Sequence, residues 1–284
     1  MIAYFQKGFN YEQDGPGNRL VYHLQGCNMS CPWCSNPEGL MPPIGFIKQN
    51  SNNRCNSRSF DVTLPVELEN TNSNDSAISL SYKVISKESL VNDILSCKSL
   101  FFDGGGVTFT GGEATLQFHA LKELLVTLKE KGIHTAIETN GTHPDLEKLF
   151  PWIDFLIVDC KQINCENHKK VTGLSNKRIL ENIKKAAKNH QKVLVRITLI
   201  HGFNTSKKDL NDFVNFAKEV LALGSGKNVQ FEVLTYHEYG KMKWRASGKE
   251  YKIKNGFVPK EILDGLKERF VEEGIPFVAT SQIL

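Results

Sequence analysis

Several features that the 284-residue sequence lacks exclude whole classes of protein before any motif is considered. There is no run of about 18 apolar residues, so no membrane span is predicted. The first residues lack a basic stretch followed by an apolar core, so no signal peptide is predicted either. Neither charge sign dominates: the net charge is +4, whereas a dedicated nucleic-acid-binding protein carries a clustered basic surface. We therefore expect a cytoplasmic protein that binds neither nucleic acid nor membranes.

The chain contains only seven cysteines. Because an odd number cannot pair completely, this count argues against a fold held together by disulfides. Cys27, Cys31 and Cys34 are spaced C-x3-C-x2-C, and the group has no fourth cysteine. A structural zinc site takes four protein ligands, whereas three thiolates on a four-iron cluster leave one iron open to a small molecule. We interpret the remaining cysteines as not ligating, namely Cys55, Cys97, Cys160 and Cys165.

Two alternatives to an iron–sulfur cluster stay open at this point. The three cysteines could be incidental residues of a cytosolic protein. His23, four residues before Cys27, could complete a zinc site. It lies in the strand-like run 19–24, however, where a histidine is more often structural than a metal ligand.

Hydrophobic periodicity after the cysteine loop predicts alternating strands and helices. Nearly continuous apolar strands are typical of parallel sheets, and repeated β-α units predict right-handed crossovers. The predicted strands are Leu20–Gln25, Val107–Thr110, His134–Glu138, Phe155–Asp159, Val193–Ile200 and Val229–Leu234. Apolar stripes predict helices over 118–128, 179–187 and 210–221. Six units are two short of an eightfold barrel, so we favour an open partial (β/α)6 barrel over a flat doubly wound sheet.

Residues 41–82 interrupt this pattern. They are rich in Asn and Ser and show no helical periodicity, which predicts an irregular, loop-rich insert. We expect one domain over residues 1–284, with this insert inside it.

A second motif surrounds the strand predicted at Val107–Thr110. Glycines precede it at positions 104–106 and follow it as Gly111-Gly112-Glu113. Glycine after a strand lets the backbone approach a ligand closely. No Gly-Lys-Ser/Thr follows, so this is not a P-loop.

Together these motifs resemble those of the radical SAM activating enzymes of glycyl radical enzymes. The resemblance covers nearly the whole chain apart from the insert. It rests on Asp14–Gly17, the cysteine loop, Trp33–Glu38, Gly105–Glu113, Glu138–Gly141, Asp159–Lys161, Thr172–Gly173, Arg196, His201–Asn204 and Tyr236–Trp244.

The resemblance implies a partial (β/α)6 barrel of the radical SAM type that binds a [4Fe-4S] cluster and S-adenosylmethionine (SAM). It implies reductive cleavage of SAM and removal of a hydrogen atom from a glycine of a partner protein. The 236–244 tail favours pyruvate formate-lyase as this partner. A monomer is expected, reduced by an electron donor such as flavodoxin or ferredoxin.

The resemblance also assigns roles to individual residues. Gly111 and Gly112 border the methionyl end of SAM. Glu113 is counted with the SAM-binding residues, with orientation of the glycine loop as the alternative to a contact with SAM. A monovalent cation sits beside the SAM carboxylate near Glu138 and Asp159. Further contacts to SAM are assigned to Thr139, Lys161, Arg196 and His237, with Trp33 beside the adenine. Asp14 lies close to the partner's glycine loop. Among these, the catalytic set is Asp14, Lys161 and Arg196.

Two departures from the family pattern qualify these implications. Many relatives carry eight cysteines for two more clusters in the insert, but here it holds only Cys55, so we expect no extra cluster. His201 replaces the usual proline before Gly202. Other functions considered are activation of another glycyl radical lyase, dehydratase or decarboxylase, a radical SAM reaction on a small molecule, and an iron–sulfur electron carrier or sensor. A bare carrier needs no pocket, which argues against the last.

Overall fold

The computed structural model describes residues 1–40, 82–224 and 228–278. The predicted insert, with Cys55, therefore lies outside the described residues except for Tyr82, which is buried beside Ala3. The chain divides into two compact units. The first comprises Met1–Asn28 and Asn36–Glu138, and the second comprises Met29–Ser35 and Thr139–Leu284.

In the first unit five strands pair in the order β3-β1-β2-β4-β5. β1 is antiparallel to both of its neighbours, whereas β2, β4 and β5 run parallel. The strands are β1 (Ile2–Tyr11), β2 (Asn18–Leu24), β3 (Lys83–Ile85), β4 (Gly106–Gly111) and β5 (Thr135–Thr139).

The register of this unit places two predicted motifs at the same edge. Leu24, the last residue of β2, is paired with Gly111, the last residue of β4. The chain that follows β2 enters the cysteine loop, and the chain that follows β4 enters Gly112-Glu113. Because parallel strands end at one edge, the two motifs leave the sheet next to each other.

The second unit contains four parallel strands in the order β6-β7-β8-β9. Their register aligns Asp159 of β6 with Arg196 of β7, and Arg196 with Glu232 of β8. The strands are β6 (Phe155–Asp159), β7 (Val193–Leu199), β8 (Val229–Thr235) and β9 (Phe277–Val278).

Seven α-helices connect or flank the described strands. Ser206 begins α5 with a capping box in which its hydroxyl accepts from Asp209 N and the Asp209 carboxylate accepts from Ser206 N, a strong start signal. The helices are α1 (Lys87–Ser96), α2 (Phe118–Glu130), α3 (Cys165–Thr172), α4 (Lys177–Asn189), α5 (Lys207–Leu223), α6 (Lys241–Ala246) and α7 (Lys260–Glu272).

The predicted α/β class with parallel strands is confirmed. All six predicted strands are present within about a residue or two of their bounds. The three predicted helices, α2, α4 and α5, are present within about three residues of theirs. Among the described strands, β3 and β9 each pair with one neighbour, so each is an edge strand of its own unit. None of the described helices combines the length and apolarity needed to cross a bilayer.

Candidate active site

The cysteine loop leaves β2 as irregular chain, which frees its side chains from a repeating strand or helix geometry. The thiols of Cys27, Cys31 and Cys34 form no disulfide. Cys31 is buried, whereas Cys27 and Cys34 are partly exposed. The Cys34 N–H donates to the carbonyl of Cys31 at 3.2 Å.

Two elements of the second unit hold the middle and the end of this loop. The Ser30 N–H donates to the Thr172 carbonyl at the end of α3, at 2.9 Å. At the other end, the Trp244 indole Nε1 donates to the Cys34 carbonyl at 2.8 Å. Gly240 packs so closely that a Cβ there would stand 2.4 Å from the same carbonyl oxygen. The backbone around Cys34 is therefore tightly fixed.

Burial and a nearby positive charge act in opposite directions on the buried thiol of the cysteine loop. Burial raises the pKa of Cys31 to about 12, while the positive charge of Lys161 acts in the opposite direction. Such a thiol stays protonated until a metal replaces the proton. No group of three or more His, Cys, Asp or Glu side chains among the described residues could hold one metal ion.

His23, the residue weighed as a fourth zinc ligand, lies within β2. Its ring lies 5.6 Å from that of Phe5, centroid to centroid. This placement agrees with the structural role expected for a histidine in a strand.

The backbone of the glycine motif packs closely on the start of the cysteine loop. The Gly112 N–H donates to Leu24 O at 3.0 Å, and the Glu113 N–H donates to Gly26 O at 2.7 Å. A Cβ on Gly112 would stand 2.1 Å from Gly26 O. At Gly111, φ is +115° and a Cβ would stand 2.5 Å from Leu24 N. Neighbouring backbone atoms therefore leave no room for a side chain at Gly111 or Gly112, whether or not these glycines also contact a ligand.

Glu113 is 1% exposed and caps the short 3-10 helix Ala114–Leu116. Its carboxylate accepts from Thr115 N at 2.9 Å and from the Thr115 hydroxyl. The Glu113 side chain therefore stabilises the turn that follows the two glycines.

Glu138 and Thr139 close β5 and begin the following turn. The Glu138 carboxylate accepts from the Thr110 hydroxyl of β4 at 2.7 Å. In the second unit, the Thr139 hydroxyl accepts from Gly141 N at 3.1 Å, where Gly141 adopts φ +72°. The Thr139 side chain therefore stabilises a turn that only glycine enters without strain.

Asp159 and Lys161 form an ion pair at the carboxyl end of β6, with 2.8 Å between Asp159 Oδ2 and Lys161 Nζ. Their side chains are 16% and 14% exposed. Asn204, fully buried, donates to the Lys161 carbonyl at 2.8 Å and to that of Thr198 at 2.7 Å. The backbone of Lys161 is thereby anchored.

Arg196 lies one strand further along, with Cys160 N donating to its carbonyl at 2.8 Å. Its guanidinium Nε donates to Glu232 of β8 at 2.6 Å, and both side chains are 6% exposed. Glu232 was not among the predicted site residues. The register between β7 and β8 brings Arg196 and Glu232 together. The sequence indicates this pair only by placing a charged residue within the apolar run of β8.

The two predicted aromatic contacts lie in packed surroundings within the second unit. Trp33 is 8% exposed and packs on Phe203, with 4.9 Å between ring centroids. His237 stacks on Tyr239 at 4.3 Å, and its Nδ1 accepts from Tyr239 N. Burial lowers the pKa of His237, so the ring is favoured in its neutral form.

Asp14 lies in the loop between β1 and β2, and a buried arginine holds that loop. Arg19 is fully buried and donates from Nε to the Thr108 hydroxyl at 2.7 Å and from Nη1 to the Pro16 carbonyl at 3.1 Å. The Thr108 hydroxyl in turn donates to the Asp14 carbonyl at 2.7 Å. Arg19 is a positioning residue that periodicity did not reveal, since it occupies a position that reads as part of an ordinary strand.

Comparison with known proteins places these features in a family. Residues 21–217 match the model of the radical SAM superfamily. The chain is 32% identical to the 4-hydroxyphenylacetate decarboxylase activating enzyme of Clostridioides difficile, over 92% of this chain and 90% of the relative. It is 29% identical to the pyruvate formate-lyase 1-activating enzyme of Escherichia coli, over 90% and 91%.

A solved structure supports the fold assignment. A domain of a pyruvate-formate lyase-activating enzyme from Bacteroides vulgatus aligns with a TM-score of 0.51 at 22% identity. The alignment covers 63% of this chain and all of that domain.

Proposed function

Because the chain belongs to the radical SAM superfamily, we propose that it activates a glycyl radical enzyme by removing a hydrogen atom from one glycine Cα of that partner. The observation that carries this proposal is the similarity to two activating enzymes along about nine-tenths of the chain. A match of this extent includes the 236–244 tail as well as the cluster motif. The alternative of a radical SAM reaction on a small molecule has no comparable support.

Family membership brings a [4Fe-4S] cluster and SAM as cofactors. Cys27, Cys31 and Cys34 would hold the cluster, and when bound it supplies the electron that splits SAM into methionine and the hydrogen-abstracting radical. The Lys161 ammonium offsets part of the negative charge that three thiolates introduce.

The remaining assigned residues are proposed to hold SAM. Asp159 already has a cationic partner in Lys161, and Glu138 accepts from Thr110. Partly buried carboxylates are stabilised by such partners, and a monovalent cation near Glu138 and Asp159 would add to this stabilisation beside the SAM carboxylate. Arg196 is oriented by Glu232, so its remaining N–H groups point in a fixed direction. Trp33 is proposed to lie beside the adenine, and His237 is proposed to line the SAM pocket.

Two partners have specific support. The Tyr236–Trp244 tail favours pyruvate formate-lyase. The higher identity to the Clostridioides difficile protein favours 4-hydroxyphenylacetate decarboxylase. Anaerobic incubation of the reduced, cluster-loaded protein with SAM and each purified partner should give a glycyl radical signal by electron paramagnetic resonance with one of them. SAM cleavage without a radical on either partner would count against both assignments.

The cluster itself is tested by iron content. We expect about four irons and four sulfides per chain after anaerobic reconstitution. Alanine at Cys27, Cys31 or Cys34 should abolish this content, whereas alanine at Cys97, Cys160 or Cys165 should leave it unchanged. The same is expected for Cys55. A content of eight or more irons per chain would show that the predicted absence of further clusters is wrong.

A further inference from the structure

A short turn at the end of α3 holds the backbone directly in front of Cys31. We call residues 172–174 the α3 turn. Its Thr172 carbonyl accepts from the Ser30 N–H at 2.9 Å and from the Ser30 hydroxyl at 3.3 Å. Ser30 immediately precedes Cys31, and both lie in the second unit. The position of the Thr172 carbonyl therefore determines where the chain enters Cys31.

The α3 turn is shaped by hydrogen bonds within itself and to the last turn of α3. The Thr172 hydroxyl donates to the His168 carbonyl at 2.9 Å and accepts from the Leu174 N–H at 3.3 Å. Gly173 ends the helix with φ +86°, a common helix ending, and its N–H donates to the Lys169 carbonyl at 2.9 Å. The last carbonyls of a helix have no partner within it, and the Thr172 carbonyl is one of these.

His168 holds the α3 turn from the buried side. It is fully buried, and its Nδ1 lies 2.7 Å from the Leu174 carbonyl oxygen and 3.1 Å from the Thr172 hydroxyl oxygen. Since a carbonyl only accepts, Nδ1 carries the proton and donates to Leu174. Nε2 has no hydrogen-bond partner among the described residues. Within the described part of the chain, the hydrogen bonds of the ring thus all run to the α3 turn.

Packing alone would not favour a histidine at this position. A buried ring nitrogen without a partner destabilises the folded state. A leucine would fill a similar space without this loss. What a leucine cannot supply is the N–H that the Leu174 carbonyl accepts. The identity of His168 is therefore explained by its action on the α3 turn.

We infer that His168 is a positioning residue for cluster binding. Acting through the α3 turn, it orders the segment that carries Cys31 before a cluster arrives. A segment that is ordered in advance loses less conformational entropy on binding, which strengthens the binding. The inference rests on the proposed function only in taking Cys31 as a ligand of the cluster.

The first test uses the protein without its cluster. Amide hydrogen exchange at Ser30 reports directly whether its N–H is held by the α3 turn. We expect this exchange to be about tenfold faster in His168→Leu than in the unmodified protein, since a hydrogen bond that orders the turn is lost. His168→Asn should exchange at the original rate, because the Asn amide nitrogen takes the place of Nδ1 as the donor to Leu174.

The second test uses the cluster-loaded protein. Loss of the cluster's visible absorption in the presence of an iron chelator measures how firmly the cluster is held. We expect this loss to be about tenfold faster in His168→Leu and unchanged in His168→Asn. Because asparagine is smaller than histidine and fills the cavity less well, a role in packing alone would not show this rescue.

His190→Leu is the matched control. His190 is a second buried histidine of the same unit, and its ring hydrogen bonds involve the Ile153 carbonyl and the Lys192 N–H rather than the α3 turn. Its replacement should lower the thermal unfolding midpoint but leave Ser30 exchange and iron release unchanged. The control therefore separates a local effect on the cysteine loop from a general loss of stability.

Three results would overturn the inference. One is unchanged Ser30 exchange and unchanged iron release in His168→Leu. Another is the same acceleration in His190→Leu, which would show a general loss of stability. The third is a His168→Asn variant as impaired as His168→Leu, which would assign the role to the bulk of the ring.

Thr172→Val provides an independent variant if His168→Leu does not fold. It keeps the size of the side chain and removes the hydroxyl that joins His168 to Leu174, so it should also accelerate Ser30 exchange. Unchanged exchange in this variant would contradict the inference. Failure of the proposed function would appear differently: no partner would gain a glycyl radical, or alanine at Cys31 would leave the iron content intact, while the effect of His168→Leu on Ser30 exchange persisted.

Discussion

Arg19 illustrates how one buried side chain determines the shape of a functional loop. Its guanidinium donates to Thr108, Pro16 and Val107, so it joins β4 to the loop that carries Asp14. Because the side chain is fully buried, its removal would leave several acceptors without a donor.

We predict that Arg19→Met lowers the free energy of unfolding by about 3 kcal/mol, since buried acceptors that lose a hydrogen bond cost about 1–3 kcal/mol each. Urea denaturation followed by circular dichroism measures this change. Arg178→Met, on the exposed face of α4, is the control and should change stability by less than about 0.5 kcal/mol. Equal losses in the two variants would contradict the structural role of Arg19.

Gly112 allows a second prediction at this scale. Because a Cβ there would collide with Gly26 O, Gly112→Ala should displace the start of the cysteine loop. We expect reduced iron content after reconstitution, before any SAM is added. Gly8→Ala is the control, since a Cβ at Gly8 meets nothing within 4 Å. A variant with full iron content and weakened SAM binding would instead place the glycine's role at the ligand.

Residue roles differ in how far the sequence predicts them. The ligand role proposed for the three cysteines follows from the sequence alone, because their spacing is itself the ligand pattern. Glu232 and Arg19 were not, because their roles depend on which strands become neighbours and in what register. A local sequence pattern does not specify which strands pair with each other.

At the scale of elements, α3 combines a support for the cysteine loop with a buried histidine. His168 is fully buried, and its Nδ1 lies 2.7 Å from the Leu174 carbonyl. A carbonyl only accepts, so Nδ1 carries the proton. Nε2 has no hydrogen-bond partner among the described residues. Burial lowers the pKa of His168; the bond to Leu174 opposes this shift, and the charge of Lys161 adds to it.

This burial predicts a pH dependence of stability. A histidine whose pKa is lowered in the folded state binds its proton more readily when unfolded. Its contribution is therefore complete above the unfolded pKa of about 6.5 and is lost as pH falls below that value, by at most about 1.4 kcal/mol per pH unit. Unfolding of His168→Asn between pH 7.5 and 5.5 should show a shallower slope. The exposed control His119→Asn should keep the original slope; identical slopes in all three proteins would refute the assignment.

The elements with strong periodicity were predictable, and the others were not. α2, α4 and α5 each bury an apolar stripe, which hydrophobic spacing reveals. β1 was not predicted, because only its first residues are buried and Gln6–Asn10 is mostly exposed. α6 has six residues and none of them is buried, so no stripe marks it. The parallel pairing followed from β-α alternation, whereas the antiparallel β1 required the tertiary structure.

At the scale of the whole molecule, the proposed function requires a protein partner to reach the reactive centre. Asp14 is partly exposed in a loop held by Arg19 and Thr108. We predict that Asp14→Ala preserves iron content and partner-independent SAM cleavage, but lowers the glycyl radical yield. Paired measurements of cleavage products and radical yield test this. Loss of the cluster or of SAM cleavage in Asp14→Ala would remove the segment from the partner interface.

The hydrogen bonds inside the cysteine loop have a consequence for redox energetics. Ser30 N–H is bound to Thr172 O, and Cys34 N–H is bound to Cys31 O, so neither is available to donate to a sulfur of a bound cluster. Donors to cluster sulfur stabilise the reduced, more negative state and raise the reduction potential. With these two donors withdrawn, the loop favours a low potential. A cluster held by Cys27, Cys31 and Cys34 would therefore accept electrons less readily and, once reduced, would donate them more readily.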